Sequence, residues 1–244
     1  STVVVDTLDE STEEVMGLLG DPQQEAFDRR GLCVGLVQSG KTAHYIGLIN
    51  KAVDAGYDVI VVLTGFTENL RVQTQIRVDQ GFVGIVSSAD AKRRPAGVGK
   101  HVPRIENKLT PSSVTSQYSD FTADKARGIS IGSHTIIFVV KKNVSILRKL
   151  IDFLQLDAVP DSARPGQSFI KNRSLLVIDD ESDVGSIDTN PGKMFPMSAD
   201  PNEDSPDPDH SPTRINERIR ELLFLFEKCS YVGYTATPFA NVLI

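Results

Sequence analysis

Eight residues near the start of the chain have the types and spacing of a phosphate-binding loop. The segment Gly-Leu-Val-Gln-Ser-Gly-Lys-Thr fits G-x-x-x-x-G-K-[ST] at every fixed position. In such a loop the backbone N–H groups face a triphosphate at a helix N-terminus. Lys41 would supply positive charge to the β- and γ-phosphates, and the Thr42 hydroxyl would bind Mg²⁺. The predicted nucleotide contacts are Gly35, Gln38, Ser39, Gly40, Lys41 and Thr42.

A cluster of acids supplies the carboxylates that a phosphate loop needs for its metal ion. Residues 175–178 are apolar, and four of the next five residues are Asp or Glu. We predict that Asp180 binds Mg²⁺ and that Glu181 polarises the attacking water, with Asp179 as the competing choice for the metal role. An acidic helix cap explains one such acid better than four, because like charges repel unless a cation compensates them.

The elements that would position these residues alternate between two kinds of pattern. Short apolar runs predict strands at 32–37, 58–64, 136–140, 175–178 and 231–234, and helical periodicity covers 43–55, 145–156 and 215–227. Continuous apolar strands separated by helices predict an α/β fold whose parallel sheet is covered by helices on both faces. The acids would then lie at the carboxyl edge of the sheet, where ligands of such folds bind.

Three motifs in order carry a resemblance to a known class of ATPase. The phosphate loop, Asp-Glu-Ser-Asp at 180–183 and Thr-Ala-Thr-Pro at 235–238 resemble motifs I, II and III of the first RecA-like domain of superfamily-two helicases and translocases. Four longer stretches, at 34–42, 51–57, 70–75 and 233–241, resemble the prokaryotic Z-one domain family, which is linked to endonucleases and to such helicases.

The resemblance implies both a fold and an activity. The fold would be a P-loop NTPase with a RecA-like sheet, and the activity a DNA-dependent ATPase or translocase of a restriction or anti-phage defence system. ATP and Mg²⁺ would be its cofactors. DNA, contacted mainly through its phosphate backbone, would be its partner, together with nuclease or other defence subunits.

The resemblance also implies roles for individual residues outside the phosphate loop and the acidic motif. Thr235 and Thr237 would couple nucleotide state to strand binding, or simply end a strand before a proline. Gln23 or Gln24, with Gln24 preferred, would contact adenine, unless these are solvated helix residues. Arg71 and Gln73 occupy the place of motif Ia, where they would grip nucleic-acid phosphates or lie on a solvated helix face.

The chain divides into a short first segment and one larger domain. Residues 1–30 are predicted to be an N-terminal helical segment with a break near residues 20–22, and residues 31–244 the RecA-like domain. Insertions are expected at about 88–130 and 188–213. The first carries a basic run from Lys92 to Lys108, which is either a nucleic-acid footprint or solvated charge. The second is rich in proline and aspartate, and predicts an acidic loop.

Composition excludes several classes of function. With 244 residues and a net charge of −6, the chain has no global basic field, so DNA must meet a local patch. Cys33 and Cys229 stand apart beside apolar runs and predict buried, reduced thiols. No stretch reaches the ~18 apolar residues of a membrane helix, and we expect no membrane partner and a cytoplasmic location.

The sequence stops six residues after Pro238, where the resemblance places a second RecA-like domain. We therefore expect that domain to be missing from this chain, and with it the arginine finger that is worth about 10³ to 10⁵ in rate. Two alternatives remain open. One is an ATP-dependent switch that controls partner assembly without a motor function. The other is a nuclease whose site is not recognised in the sequence. The E-x-K triplet that begins at Glu106 has the spacing found in metal nucleases, but the Pro-Asp pair expected upstream of it is missing.

Overall fold

A mainly parallel sheet of seven strands organises the described part of the chain. The computed structural model describes residues 2–35, 40–87, 94–101, 112–183 and 212–236. The strand order is β1-β7-β6-β2-β4-β3, with the short β5 pairing antiparallel to β6. The strands are β1 (Phe27–Val34), β2 (Val59–Thr64), β3 (Ser112–Ser113), β4 (Ile136–Lys141), β5 (Val159–Pro160), β6 (Ser168–Asp180) and β7 (Phe226–Thr235).

Within the described ranges, five α-helices connect and cover these strands. They are α1 (Thr2–Met16), α2 (Lys41–Asp54), α3 (Glu68–Val78), α4 (Val144–Leu154) and α5 (Pro212–Phe224). A π-helical turn over Asp79–Val83 extends α3. Two helices begin at side-chain caps, which satisfy N–H groups of the first turn: Thr67 accepts from the Leu70 amide, and Asn143 from the Ile146 amide.

Helices cover both faces of the sheet. The alternate residues Val59, Val61 and Leu63 of β2 belong to one apolar core with α4 and α5. Ile60 and Val62 of the same strand belong to the other core with α2. All five side chains are fully buried, and burial of each contributes about 1.5–3 kcal/mol. The predicted α/β fold, with a parallel sheet between two helical layers, is confirmed.

The N-terminal segment differs from its prediction. One helix, α1, covers residues 2–16, and residues 21–26 form turns instead of a second helix. The chain turns here because both backbone groups of Gly20 are bound: its N–H donates to Ser230 Oγ and its carbonyl accepts from the Tyr57 hydroxyl. Strand β1 then begins at Phe27, so the predicted boundary at residue 31 falls inside a strand.

The predicted insertions contribute to the domain where they are described. Residues 112–113 add an edge strand beside β4. The connection that follows buries Val114, Phe121, Ala126 and Ile131 in the core shared with α4. Most of the acidic insertion, and Lys92, Arg93, Arg104 and Lys108 of the basic run, lie outside the described residues.

Two smaller predictions have mixed outcomes. Cys229 is buried and unpaired as expected, whereas Cys33 is only partly buried. The predicted helix at 215–227 ends earlier, because β7 begins at Phe226.

In the described part of the chain, no helix combines the length and hydropathy needed to cross a membrane.

Candidate nucleotide site

Three neighbouring strands bring the predicted motifs to one edge of the sheet. Strand β1 leads into the phosphate loop, β6 ends in the acids, and β7 lies between them and pairs with both. The Gly35 amide donates a 3.0 Å hydrogen bond to the Thr235 carbonyl. Because the strands are parallel, all three carboxyl ends meet at this edge, which is where open α/β sheets bind ligands.

The described part of the phosphate loop has the expected backbone. Gly40 is the N-cap of α2 and has a φ of 82°, a left-handed conformation that favours glycine. Lys41 Nζ lies 3.4 Å from the Gly35 carbonyl oxygen, so its side chain reaches back to the residue at which the motif begins. Gln38 and Ser39 lie outside the described residues, and their phosphate contacts stay predictions.

Tyr45 links one predicted metal ligand to the helix that carries the other. Its hydroxyl donates a 3.3 Å hydrogen bond to Asp180 Oδ2, and Tyr45 lies one turn after Thr42 on α2. Asp180 and Thr42, both oxygen ligands of the kind that Mg²⁺ prefers, are therefore connected through the first turn of this helix. The sequence analysis did not identify Tyr45, whose spacing from Thr42 was the available signal.

Electrostatics make Asp180 a carboxylate that favours a cation. Burial raises its pKa above the usual range, and the neighbouring charge of Glu181 raises it further, while Lys142 and the Tyr45 hydrogen bond act in the opposite sense. A divalent ion would reverse this balance, because a metal is the largest local charge in such a site.

Asp179 has a different role from Asp180. Its side chain is fully buried, forms a 2.6 Å ion pair with Lys142 and accepts a 2.6 Å hydrogen bond from the Tyr231 hydroxyl. A carboxylate neutralised in this way is not available to an incoming metal ion. Of the two alternatives for the metal role, the geometry therefore favours Asp180.

Glu181 has an unusual backbone and an exposed side chain. Its φ is 57°, in the left-handed region, which costs about 1–3 kcal/mol for a residue with a Cβ and is found mainly at functional sites. The carboxylate passes over Gly65, at the end of β2, where an added Cβ would lie 2.7 Å from Glu181 Oε2. Glycine at position 65 thus leaves room for this carboxylate.

Two cationic side chains at the site were missed by the sequence analysis. Arg77 of α3 donates a 3.0 Å hydrogen bond to the Thr42 hydroxyl. Lys142 lies under the acidic turn and donates a 2.6 Å hydrogen bond to the Glu181 carbonyl. In the sequence, Lys142 is half of a Lys-Lys pair after an apolar run, a pattern typical of a solvated strand end.

The prediction that Arg71 grips nucleic-acid phosphates is wrong. Its side chain is fully buried and forms ion pairs with Glu68 at 2.6 Å and Asp120 at 3.8 Å. A guanidinium in this position holds the start of α3 against the connection before β4 and does not reach solvent. Gln73 of the same helix is exposed, and its contact with nucleic acid stays a prediction.

The structure also contradicts the predicted contact of Gln24 with adenine. Gln24 lies on the turn before β1, and its amide donates to the Asp21 carbonyl. The phosphate loop follows the opposite end of this eight-residue strand. At about 3.3 Å per residue, the strand separates the two by roughly 26 Å. A nucleotide held by the loop is therefore far from Gln24.

The structure describes some of the remaining predicted residues and leaves others outside the described ranges. Thr235 is buried at the end of β7, directly between the phosphate loop and the acids. Thr237 lies outside the described residues. Arg94 and Lys100 of the basic run are exposed, as a nucleic-acid surface would require, but nothing in the contacts distinguishes them from solvated charges.

Comparison with known proteins does not establish a family. No family model matches the chain, and no curated protein matches it. A similar solved structure is that of a nuclease-deletion mutant of the Type ISP restriction-modification enzyme LlaGI in complex with a DNA substrate mimic. It is 10% identical with a TM-score of 0.43, and the alignment covers 94% of this chain but 17% of that one. Such a similarity identifies neither a shared family nor a shared activity, so the resemblance to the Z-one family stays a prediction.

Proposed function

We propose that this chain binds and hydrolyses Mg·ATP at the carboxyl edge of its sheet. In this proposal it is the ATP-binding motor domain of a superfamily-two helicase-like, DNA-dependent ATPase of a restriction or anti-phage defence system. The observation that carries the nucleotide site is the Tyr45 hydroxyl, which joins Asp180 to the helix that begins at the phosphate loop. Binding of ATP needs the loop and this carboxylate on one side of the sheet.

Each residue has a separate task in this proposal. Lys41 and the loop amides hold the phosphates, while Thr42 and Asp180 hold Mg²⁺. The ion, when bound, neutralises charge on the phosphates. Glu181 accepts a proton from a water molecule whose oxygen bonds to the γ-phosphorus, as the bond from that phosphorus to the β–γ bridging oxygen breaks. The products are ADP, inorganic phosphate and a protonated Glu181, which then returns its proton to water.

The DNA part of the proposal is supported by the order of the three motifs and by the position of β7. Thr235 ends the strand that lies between β1 and the acids, so the motif that it begins is expected to respond to the γ-phosphate. Gln73, Arg94 and Lys100 are exposed and available for phosphate contacts. Since such contacts follow backbone charge, binding would depend strongly on salt and weakly on sequence.

The proposal is tested by nucleotide binding and hydrolysis of the chain with and without DNA. Lys41→Ala is expected to weaken Mg·ATP binding by on the order of 10²-fold, because it removes a charge that pairs with phosphate. Lys51→Ala is the matched control, since this lysine lies on the same helix and pairs with Glu13 and Asp9. Equal affinity of both variants and wild type would reject the nucleotide site.

Hydrolysis then separates a motor domain from a switch. We expect slow turnover that single- or double-stranded DNA accelerates. Tight Mg·ATP binding with turnover that neither form of DNA changes would instead favour the switch that controls partner assembly.

A further inference from the structure

Lys142 is a charged side chain that does not reach solvent. It follows β4 directly, and both it and Asp179 are fully buried where their ion pair forms at 2.6 Å. The same Nζ donates a 2.6 Å hydrogen bond to the backbone carbonyl of Glu181. A buried ammonium is unfavourable unless an opposite charge and hydrogen-bond acceptors surround it. The ion pair and this hydrogen bond therefore both help to fix the position of the lysine.

The carbonyl that Lys142 binds belongs to a backbone that needs support. Glu181 has a φ of 57°, and a residue with a Cβ keeps this conformation only where its surroundings impose it. The turn is held on both sides, by Lys142 at the Glu181 carbonyl and by the Ser182 amide, which donates to the Tyr234 carbonyl at 3.0 Å. Loss of the first contact would let the peptide rotate and move the carboxylate away from Gly65.

We propose that Lys142 is a positioning residue that holds the Glu181 carboxylate in place for hydrolysis, acting through the Glu181 backbone carbonyl. This inference rests on the proposed function, because Glu181 acts on water only if the chain hydrolyses ATP. Lys142 lies beneath the turn and acts on the predicted metal ligand Asp180 through its charge, which lowers the pKa of that carboxyl while the charge of Asp179 raises it. Loss of both charges together should therefore slow hydrolysis while changing nucleotide affinity little.

The test must separate the hydrogen bond to Glu181 from the ion pair that stabilises the fold. Lys142→Met alone would leave Asp179 buried without a counter-charge, and a folding defect would hide any effect on rate. The double variant Lys142→Met/Asp179→Asn removes both charges, and the amide oxygen introduced at position 179 can still accept from Tyr231. Lys142→Gln/Asp179→Asn is a second neutral pair, whose shorter side chain at position 142 cannot reach the Glu181 carbonyl in the same way. Lys141→Met is the matched control, because this neighbouring lysine pairs with Glu68 at the surface.

Three measurements are made on each variant: Mg·ATP affinity, the rate of single-turnover hydrolysis, and hydrogen exchange of the Ser182 amide. The folded neutral pairs are expected to bind Mg·ATP within about threefold of wild type and to hydrolyse it about 10²-fold more slowly, since a misplacement of about 1 Å has effects of this size. Exchange of the Ser182 amide should be faster, because the turn has lost one of its two supports. Lys141→Met should match wild type in all three.

The outcomes separate this inference from the proposed function. A folded neutral pair that hydrolyses ATP at the wild-type rate would show that the ion pair serves stability alone, and would overturn the inference. Failure of the wild-type chain to bind Mg·ATP would reject the proposed function, and the exchange rate of the Ser182 amide would still decide whether Lys142 holds the turn. Unchanged exchange in the neutral pairs would overturn that role as well.

Discussion

The two edges of the sheet differ in how completely their buried polar groups are hydrogen-bonded. At the amino edge, before β2, the Tyr57 hydroxyl donates a 2.7 Å hydrogen bond to the Gly20 carbonyl and lies 2.8 Å from Ser230 Oγ, which accepts from the Gly20 amide. Asp58 accepts from both the amide and the hydroxyl of Ser174. Among the described residues, every buried side-chain polar atom at this edge has a partner.

The carboxyl edge is less completely satisfied. Ser182 Oγ and Arg71 Nη1 are buried without a hydrogen-bond partner in the described part of the chain. Glu181 adopts a left-handed backbone, and burial raises the pKa of Asp180. Buried polar groups normally have partners, and an exception needs an explanation. The contrast fits the proposed function, in which polar groups at the carboxyl edge bind a ligand while those at the amino edge stabilise the fold.

Asp180→Asn gives the largest expected difference between the two edges. The variant removes a charge that would bind Mg²⁺, a contribution of several kcal/mol, and should slow hydrolysis by on the order of 10²- to 10³-fold. Because burial disfavours the charged form of Asp180, the neutral amide should also raise the melting temperature. Calorimetry and Mg²⁺-dependent hydrolysis measure the two effects. A lower melting temperature with unchanged hydrolysis would place Asp180 among the structural acids.

Tyr57→Phe makes the corresponding change at the amino edge. It deletes the hydroxyl that joins Gly20 and Ser230, and leaves the buried Gly20 carbonyl without that donor, which costs about 1–3 kcal/mol. For a chain of this size each kcal/mol lowers the melting temperature by about 2–4 °C. Nucleotide affinity of the folded variant should equal that of wild type. A variant that keeps its melting temperature but loses affinity for Mg·ATP would remove the distinction between the edges.

The sequence predicted the fold well because its signals are local. Strands β2 and β4 are continuous apolar runs, and the structure places them within one residue of their predicted bounds. Helix α4 begins and ends within two residues of its prediction for the same reason. Strand β1, which leads into the phosphate loop, and β6, which ends in the acids, finish at the same edge of the sheet, because the carboxyl ends of parallel strands share one edge.

Contacts between distant segments could not be predicted in this way. Arg71 looked like an exposed residue of a short helix, but the connection before β4 brings Asp120 over it and removes it from solvent. Lys142 looked like a solvated lysine, and it is buried because β4 ends near the acids that follow β6. The contact of Gln24 with adenine was predicted only because Gln24 precedes the phosphate loop in the sequence. The order of residues along the chain does not show at which end of a strand a turn lies.

Ser182→Ala has the smallest expected effect and examines the carboxyl edge most directly. Ser182 Oγ packs against Gly233, where an added Cβ would lie 2.9 Å from it, and it has no hydrogen-bond partner among the described residues. Burial of an unpaired hydroxyl is unfavourable, so alanine should be neutral or stabilise the chain by up to about 1 kcal/mol.

Chemical denaturation of the Ser182→Ala variant, together with Mg·ATP affinity, measures this effect. We expect unchanged affinity, because Ser182 Oγ packs against Gly233 of β7 and is not one of the predicted nucleotide or metal contacts. A destabilisation of more than about 1 kcal/mol would mean that the hydroxyl is satisfied in the folded chain. The buried polar groups of the carboxyl edge would then be more completely satisfied than the contacts of the described residues suggest, as those of the amino edge are.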